Sequence, residues 1–215
     1  MSRVLLLDLD HTLYPSTLPT GDAVDARITH YIGQYLGLPH EDADALRREL
    51  SAQYGTTLKG LEILHGVDKE HYCDFIQDLE DELMPPPDLR LREWLLKARE
   101  RIPTYLFTNA RRDWADRCLA CLGLTDLFPD ILDIGFMEWI GKPEAAAFFK
   151  VENFVRERHG DVRFVFIDDR LDNLEQARLH GWTTIWVKPH DAVPESGSAH
   201  RIVDSLLELD IESLI

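Results

Sequence analysis

Short apolar runs alternate with helical patterns along most of this chain, and that alternation restricts the fold more than any other feature. Strand-like runs occupy residues 4–7, 104–107, 131–134, 162–167 and 183–187. Helical patterns fill 113–122, 144–158 and 171–180, with Gly181 as a C-cap. Strands that alternate with helices read as parallel strands joined by crossover helices, so an α/β, doubly wound parallel sheet is predicted. Short right-handed crossovers would set consecutive strands side by side or across a switch point.

The first strand is followed by an interruption. Residues 16–84 hold no strand-like run but four amphipathic helical segments, 23–36, 41–54, 58–65 and 69–83, punctuated by Gly37-Leu38-Pro39, Gly55 and Gly66. Pro85-Pro86-Pro87 closes the block as a stiff linker, and a helix over 88–100 leads back to the strand ending at Phe107. The expected organisation is a core of 1–15 with 85–215 and an all-helical insertion of 16–84. Both ends of that insertion would meet the sheet beside Asp8, a place from which it could close over a ligand. A loop is expected over 193–198 and a short terminal helix over 203–209.

The ends of the strands carry the chemistry. Asp8-Leu9-Asp10-His11-Thr12 follows the first, Thr108-Asn109 the second, and Asp168-Asp169 the run ending at Ile167; Gly141-Lys142-Pro143 lies between the last two. Carboxyl ends of parallel strands are where α/β proteins bind ligands. Residues two apart on a strand point the same way, so Asp8 and Asp10 could share a face. Two such carboxylates ionise together only beside a cation, which makes a divalent metal the natural third party. One acid can then serve as nucleophile and the other as general acid and base. Alone, an Asp-x-Asp is equally an ordinary turn, and Thr-Asn an ordinary cap. Together they suit phosphate: a threonine hydroxyl and backbone N–H groups at a helix start, and a lysine fixed between Gly141 and Pro143, with Pro143 opening the next helix. Asp169 is the expected direct metal ligand. Asp168 is either a second ligand or an acceptor behind it, and Asn173 is placed to orient the pair. Either aspartate could also cap the helix that follows.

Composition sets the limits. The net charge of −16 argues against a binder of nucleic-acid backbone, though one metal and one lysine can reverse the sign inside a small pocket. No run is long enough to span a membrane and none resembles a signal peptide, so the expected address is cytoplasmic. Cys118 and Cys121 have the spacing of a redox or zinc half-site, but with no second pair they read as ordinary thiols, as does Cys73.

In this order the motifs resemble those of the haloacid dehalogenase superfamily. The resemblance spans essentially the whole chain. It implies a Rossmann-like core, a helical cap over 16–84 and Mg2+-dependent phosphomonoesterase chemistry. By the same resemblance, Asp8 becomes an aspartyl phosphate and Asp10 protonates the leaving alcohol and then activates water. Thr108, the Asn109 backbone and Lys142 hold phosphoryl oxygens, while Asp8, the Asp10 carbonyl and Asp169, with Asp168 beside them, face the metal; Thr12 and Asn173 support them. An acid at Asp10 favours phosphate over halide chemistry. Leu13-Tyr14-Pro15, Tyr54-Gly55-Thr56-Thr57-Leu58-Lys59-Gly60-Leu61 and Asp168-Asp169 with Asn173 are further similar to the pyrimidine 5′-nucleotidase branch. That implies a nucleoside monophosphate as the small phosphorylated substrate. His11 stands where the branch commonly has asparagine, and Gln77-Asp78 where His-Asp is usual. His11, Tyr14, Tyr54, Thr57, Lys59 and His65 are candidates for touching the leaving group, with cap packing as the plainer role for Tyr54. Three other readings remain: a phosphatase for sugar or other small phosphates, a non-enzymatic phosphate-binding or interaction domain, and a phospho-accepting signalling domain. The last has no need of the long insertion.

Overall fold

The apolar runs form one parallel sheet in the computed structural model, which describes residues 2–193, 197 and 199–214. Its six strands are β1 (Arg3–Leu7), β2 (Thr104–Phe107), β3 (Ile131–Leu132), β4 (Arg163–Asp168), β5 (Thr183–Val187) and β6 (Arg201–Val203), in the order β3-β2-β1-β4-β5-β6. Every pairing is parallel. The chain winds outward from β1 in one direction and then, from β4, in the other, so β1 and β4 flank a topological switch point. Helices α5 (Leu89–Arg99), α6 (Arg112–Leu122), α7 (Ala145–His159) and α8 (Leu171–Leu179) make the crossovers. Right-handed connections put α5 and α6 on one face and α7 and α8 on the other.

Burial on both faces explains why the strands are apolar without alternation. Val4, Leu6, Phe107, Phe164 and Phe166 pack against Phe148, Val151 and Val155 of α7 and Leu174 of α8. Trp182 fills the centre of this layer, its ring stacked on Phe164 with centroids 4.8 Å apart. Leu5 and Leu7 point the opposite way and are fully buried too.

Contacts divide the chain into two units, 1–17 with 85–215, and 18–84. The second unit is helical: α1 (Pro19–Leu36), α2 (His40–Tyr54), α3 (Thr57–His65) and α4 (Lys69–Gln77). Pro19 starts α1, and Gly37 ends it at φ 69°. Thr56 caps α3 and Asp68 caps α4, each side chain accepting a backbone N–H three residues on. Tyr31 gathers Tyr72 and Phe75 edge-on at 5.1 and 5.3 Å. Helices α2 and α3 touch closely at Gly60, where a Cβ would lie 2.8 Å from Leu50 and 2.9 Å from the Tyr54 ring.

Four local expectations are corrected. The helix expected over 69–83 stops at Gln77, and a separate 3-10 turn follows at Asp81–Leu83. Arg27 Nε donates to the Phe75 carbonyl at 2.9 Å, and the Leu79 N–H, which would have extended the helix to that carbonyl, turns to Gln77 instead. The strand over 131–134 ends at Leu132, because Asp133 turns the chain by accepting the Phe136 N–H at 2.8 Å. Pro143 does not open α7; it sits in the turn before it, after a cis Lys142–Pro143 bond, and Glu144 is the N-cap. The terminal helix expected over 203–209 is instead the end of β6, which pairs with β5, and a 3-10 turn at Leu206–Glu208 capped by Ser205. The loop expected over 193–198 falls mostly outside the described residues. No helix among the described residues is long and apolar enough to cross a membrane.

Candidate active site

Register brings the motifs to one rim. Leu7 is level with Leu106 on one side and Ile167 on the other, so Asp8, Thr108 and Asp168 emerge together at the carboxyl ends of β1, β2 and β4. The Asp8 N–H still bonds the Ile167 carbonyl at 3.0 Å, and the Thr108 N–H bonds Leu132 at 3.1 Å, which holds both starts of loop on the sheet.

Lys142 is the centre of the cluster. Its Nζ donates to Asp8 Oδ1 at 2.7 Å, Asp168 Oδ2 at 2.7 Å and the Phe107 carbonyl at 2.8 Å, which uses all three ammonium hydrogens. The side chain is 1% exposed and lies against the rings of Phe107 and Phe166. Burial pulls its pKa down, but Asp168 and Asp8 together outweigh that and hold it above the usual lysine value. The main chain at Lys142 is clamped by the Asn109 side chain: Nδ2 donates to the Lys142 carbonyl, and Oδ1 accepts its N–H, both at 2.8 Å. Gly141 makes that approach possible, since a Cβ there would sit 2.6 Å from Asn109 Oδ1. This use of the Asn109 side chain is not readable from a Thr-Asn dipeptide.

Asp168 is fully buried and fully engaged. Beside Lys142 it accepts the Arg170 N–H at 2.8 Å and the Asn173 amide at 3.0 Å on both oxygens. Asn173 therefore orients Asp168 in particular. The N-cap position of α8 is Arg170, which the Asp168 carboxylate serves from two residues back.

Asp8, Asp168 and Asp169 each offer a carboxylate oxygen within 4.8 Å of the others. Burial raises the pKa of Asp8 to about 7, with Lys142 opposing and the Asp168 and Asp10 charges adding. Burial, then the charges of Asp168 and Asp8, push Asp169 well above the carboxylate range. Hard oxygen donors crowded at this cost suit a divalent cation of the magnesium kind. Because Asp168 is spent on Lys142, Asn173 and Arg170, the carboxylates of Asp8 and Asp169 are the ones best able to face it.

The raised Asp8 pKa has a measurable consequence. Between about 4 and about 7 the folded protein keeps a proton on Asp8 that the unfolded chain has released. Metal-free stability is therefore expected to fall as pH rises through that window. Thermal denaturation at stepped pH checks this: Asp8→Asn should flatten the slope relative to wild type, and an added divalent cation, which favours the ionised form, should do the same.

Asp10 lies past the end of β1, which stops at Leu7, where the chain turns, with His11 at φ 60°. Its carboxylate stands outside the three-aspartate group and accepts hydrogen bonds on Oδ1 from the Tyr14 hydroxyl and, at 3.0 Å, from Trp114 Nε1. Burial and then the Asp10 charge push the Tyr14 phenol well above its usual pKa. Trp114 was not among the sequence candidates; a donor-bearing aromatic in the first turn after Thr108-Asn109 was the available signal. The φ of His11 lies in the left-handed region, where histidine and asparagine are both enriched.

The other candidates differ in what engages them. Thr108 is buried, and its Oγ1 accepts the Ala110 N–H at 3.0 Å, which leaves its own hydrogen to donate. Thr12 Oγ1 is buried with no hydrogen-bond partner among the described residues. In the helical unit, Thr57 donates to the Arg47 carbonyl at 3.1 Å and Tyr54 packs over Gly60, so both serve that unit's interior. Lys59 is half-buried, and His65 is exposed at the end of α3. Cys118 is buried, and burial raises its pKa so far that it stays a thiol, unsuited to redox or metal work.

The pattern shared by haloacid dehalogenase-like hydrolases matches residues 3–181. The chain belongs to this family. A curated relative, phosphate metabolism protein 8 of Saccharomyces cerevisiae, is 29% identical over 193 residues, 83% of this chain. The chain spans only 59% of that relative's length. Among solved structures, the HAD-hydrolase YfnB from Bacillus subtilis bound to magnesium superposes with a TM-score of 0.62 at 18% identity, covering 96% of each chain. A HAD phosphatase from Thermococcus onnurineus gives 0.63 at 18%, covering 97% of this chain and 95% of that one. L-2-haloacid dehalogenases share the fold as well. At these identities the structural likeness establishes the Rossmann-like HAD fold, and the family match makes the chain a hydrolase-family member.

Proposed function

We propose that this protein is a Mg2+-dependent phosphomonoesterase that works through an aspartyl phosphate, with a nucleoside 5′-monophosphate, most fittingly a pyrimidine one, as substrate. The observation that carries the reading is the Asp10 carboxylate, held by two donors two residues beyond Asp8. A halide leaves as a stable anion and needs no proton, whereas an alcohol leaving from phosphorus does. An oriented acid beside the nucleophile therefore favours phosphate over the dehalogenase chemistry named for some structural neighbours. The yeast relative's name points toward phosphate as well.

In this reading Asp8 attacks phosphorus, Asp10 protonates the departing oxygen, and Asp10 then takes a proton from the water that cleaves the phosphoenzyme. Thr108, through its hydroxyl, and the Asn109 backbone hold the other phosphoryl oxygens, and Lys142 joins them by exchanging one of its three hydrogen bonds for a phosphoryl oxygen. A cation held by Asp8, Asp169 and the Asp10 carbonyl would offset the repulsion between an anionic nucleophile and an anionic substrate. Lys142 bonds Asp8 directly and is itself anchored by Asp168, which Asn173 and Arg170 hold in turn. The nucleotide assignment rests on the similarity at Leu13-Tyr14-Pro15 and 54–61, and residues 16–84 are taken as a cap domain. Cys73, Cys118 and Cys121 form no disulfide among the described residues, which fits a cytoplasmic address.

A panel of nucleoside monophosphates, sugar phosphates and 2-haloacids, assayed with Mg2+ and with EDTA, tests the proposal. The expected result is phosphate release from nucleoside monophosphates, pyrimidines foremost, lost on chelation. Faster turnover of sugar phosphates would reassign the substrate; release of halide with no release of phosphate would overturn the chemistry.

A further inference from the structure

We propose that Trp114 and Tyr14 are positioning residues that hold Asp10 by one oxygen, Oδ1, and so present the other, Oδ2, to the oxygen of the leaving group. The inference rests on the reading of Asp10 as the acid above.

Both donors converge on the same atom. The Tyr14 hydroxyl and Trp114 Nε1 each bond Asp10 Oδ1, and Oδ2 has no hydrogen-bond partner among the described residues. An indole N–H is a donor only, so the oxygen it faces must accept. With two donors directed at it, Oδ1 has its lone pairs engaged, and the proton that moves in the reaction belongs to Oδ2. Neither donor is free to wander: Trp114 is 4% and Tyr14 3% exposed. Trp114 is carried by the first turn of α6, directly after the Thr108-Asn109 loop, and Tyr14 follows Asp10 by four residues. The indole thus couples the placement of the acid to the loop proposed to hold phosphate, across 104 residues of chain. The arrangement explains how a carboxylate on a turning loop, past the end of β1, keeps one orientation without joining the Asp8, Asp168 and Asp169 cluster.

The test uses leaving groups that differ in their need for a proton. An alkyl phosphate, such as a nucleoside 5′-monophosphate, must have its departing oxygen protonated; 4-nitrophenyl phosphate releases a stable phenolate and barely needs it. The ratio of kcat/KM for the alkyl ester to that for the aryl ester reports only the steps through alcohol release, so the later hydrolysis of the phosphoenzyme does not enter. Trp114→Phe removes the N–H and keeps an aromatic ring; Tyr14→Phe removes the hydroxyl alone. Each is expected to lower the alkyl-to-aryl ratio by about tenfold, and the double variant by more. A purely structural role would lower both esters alike. An unchanged ratio in both single variants, with wild type active on both esters, would overturn this proposal and leave the phosphatase reading standing. A wild type that cleaves neither ester would overturn that reading, and this one with it.

Discussion

Asp8→Asn is expected to abolish turnover, by at least roughly four orders of magnitude, while leaving the fold intact. The amide has the shape of the carboxylate and can still accept from Lys142 Nζ at the Oδ1 position, 2.7 Å away in the wild type. It cannot attack phosphorus. It also removes a charge that Asp168 and Asp169 repel. Metal-free Asp8→Asn should therefore melt no lower than wild type at pH 7 and above, where the wild-type carboxylate is forced to ionise. Phosphate release from the best substrate of the panel and a melting curve check both halves. Comparable activity would refute the nucleophile assignment; a collapsed melting temperature would refute the account of the site's electrostatics.

Lys142→Met is expected to damage stability as well as activity. The substitution keeps a linear apolar chain against Phe107 and Phe166 but leaves Asp8 and Asp168 without their shared cation. Breaking a buried pair from one side costs about 3–5 kcal/mol, because the partner charge stays buried. For a chain of this length that corresponds to a fall in Tm on the order of 10 °C. The deficit should shrink on acidification, since protonating Asp8, whose pKa burial raises to about 7, removes part of the uncompensated charge. Turnover should be lost at every pH. Melting curves at pH 5 and pH 8 decide the matter: an equal deficit at both would mean that Lys142 contributes packing rather than charge.

Much of the sheet was legible because its strands are buried on both faces and so carry unbroken apolar runs; Thr104–Phe107 and Thr183–Val187 lie where the pattern put them. The helices were legible to within a residue or two wherever a cap or glycine ended them, as at Gly37 and Gly66. Two of the failures came where a distant part of the chain supplied the backbone partner. Arg27, reaching Phe75 from 48 residues away, stopped α4 early. β6 is three residues long and exists by pairing with β5, which no local pattern encodes.

The site divides along the same line. Local sequence determined which residue types stand at the carboxyl ends of the strands, because apolar run, acid, threonine and lysine are each written in consecutive residues. Tertiary structure decided what those groups do to one another. Lys142 meets Asp8 across 134 residues and Asp168 across 26, Asn109 spends its side chain on the lysine's backbone, and Asp10 stands outside the three-aspartate cluster, bonded by an indole. The reason is physical: a pKa or a donor's direction is set by charges and burial within a few ångströms, and neighbours at that range are chosen by the crossing of the chain through space.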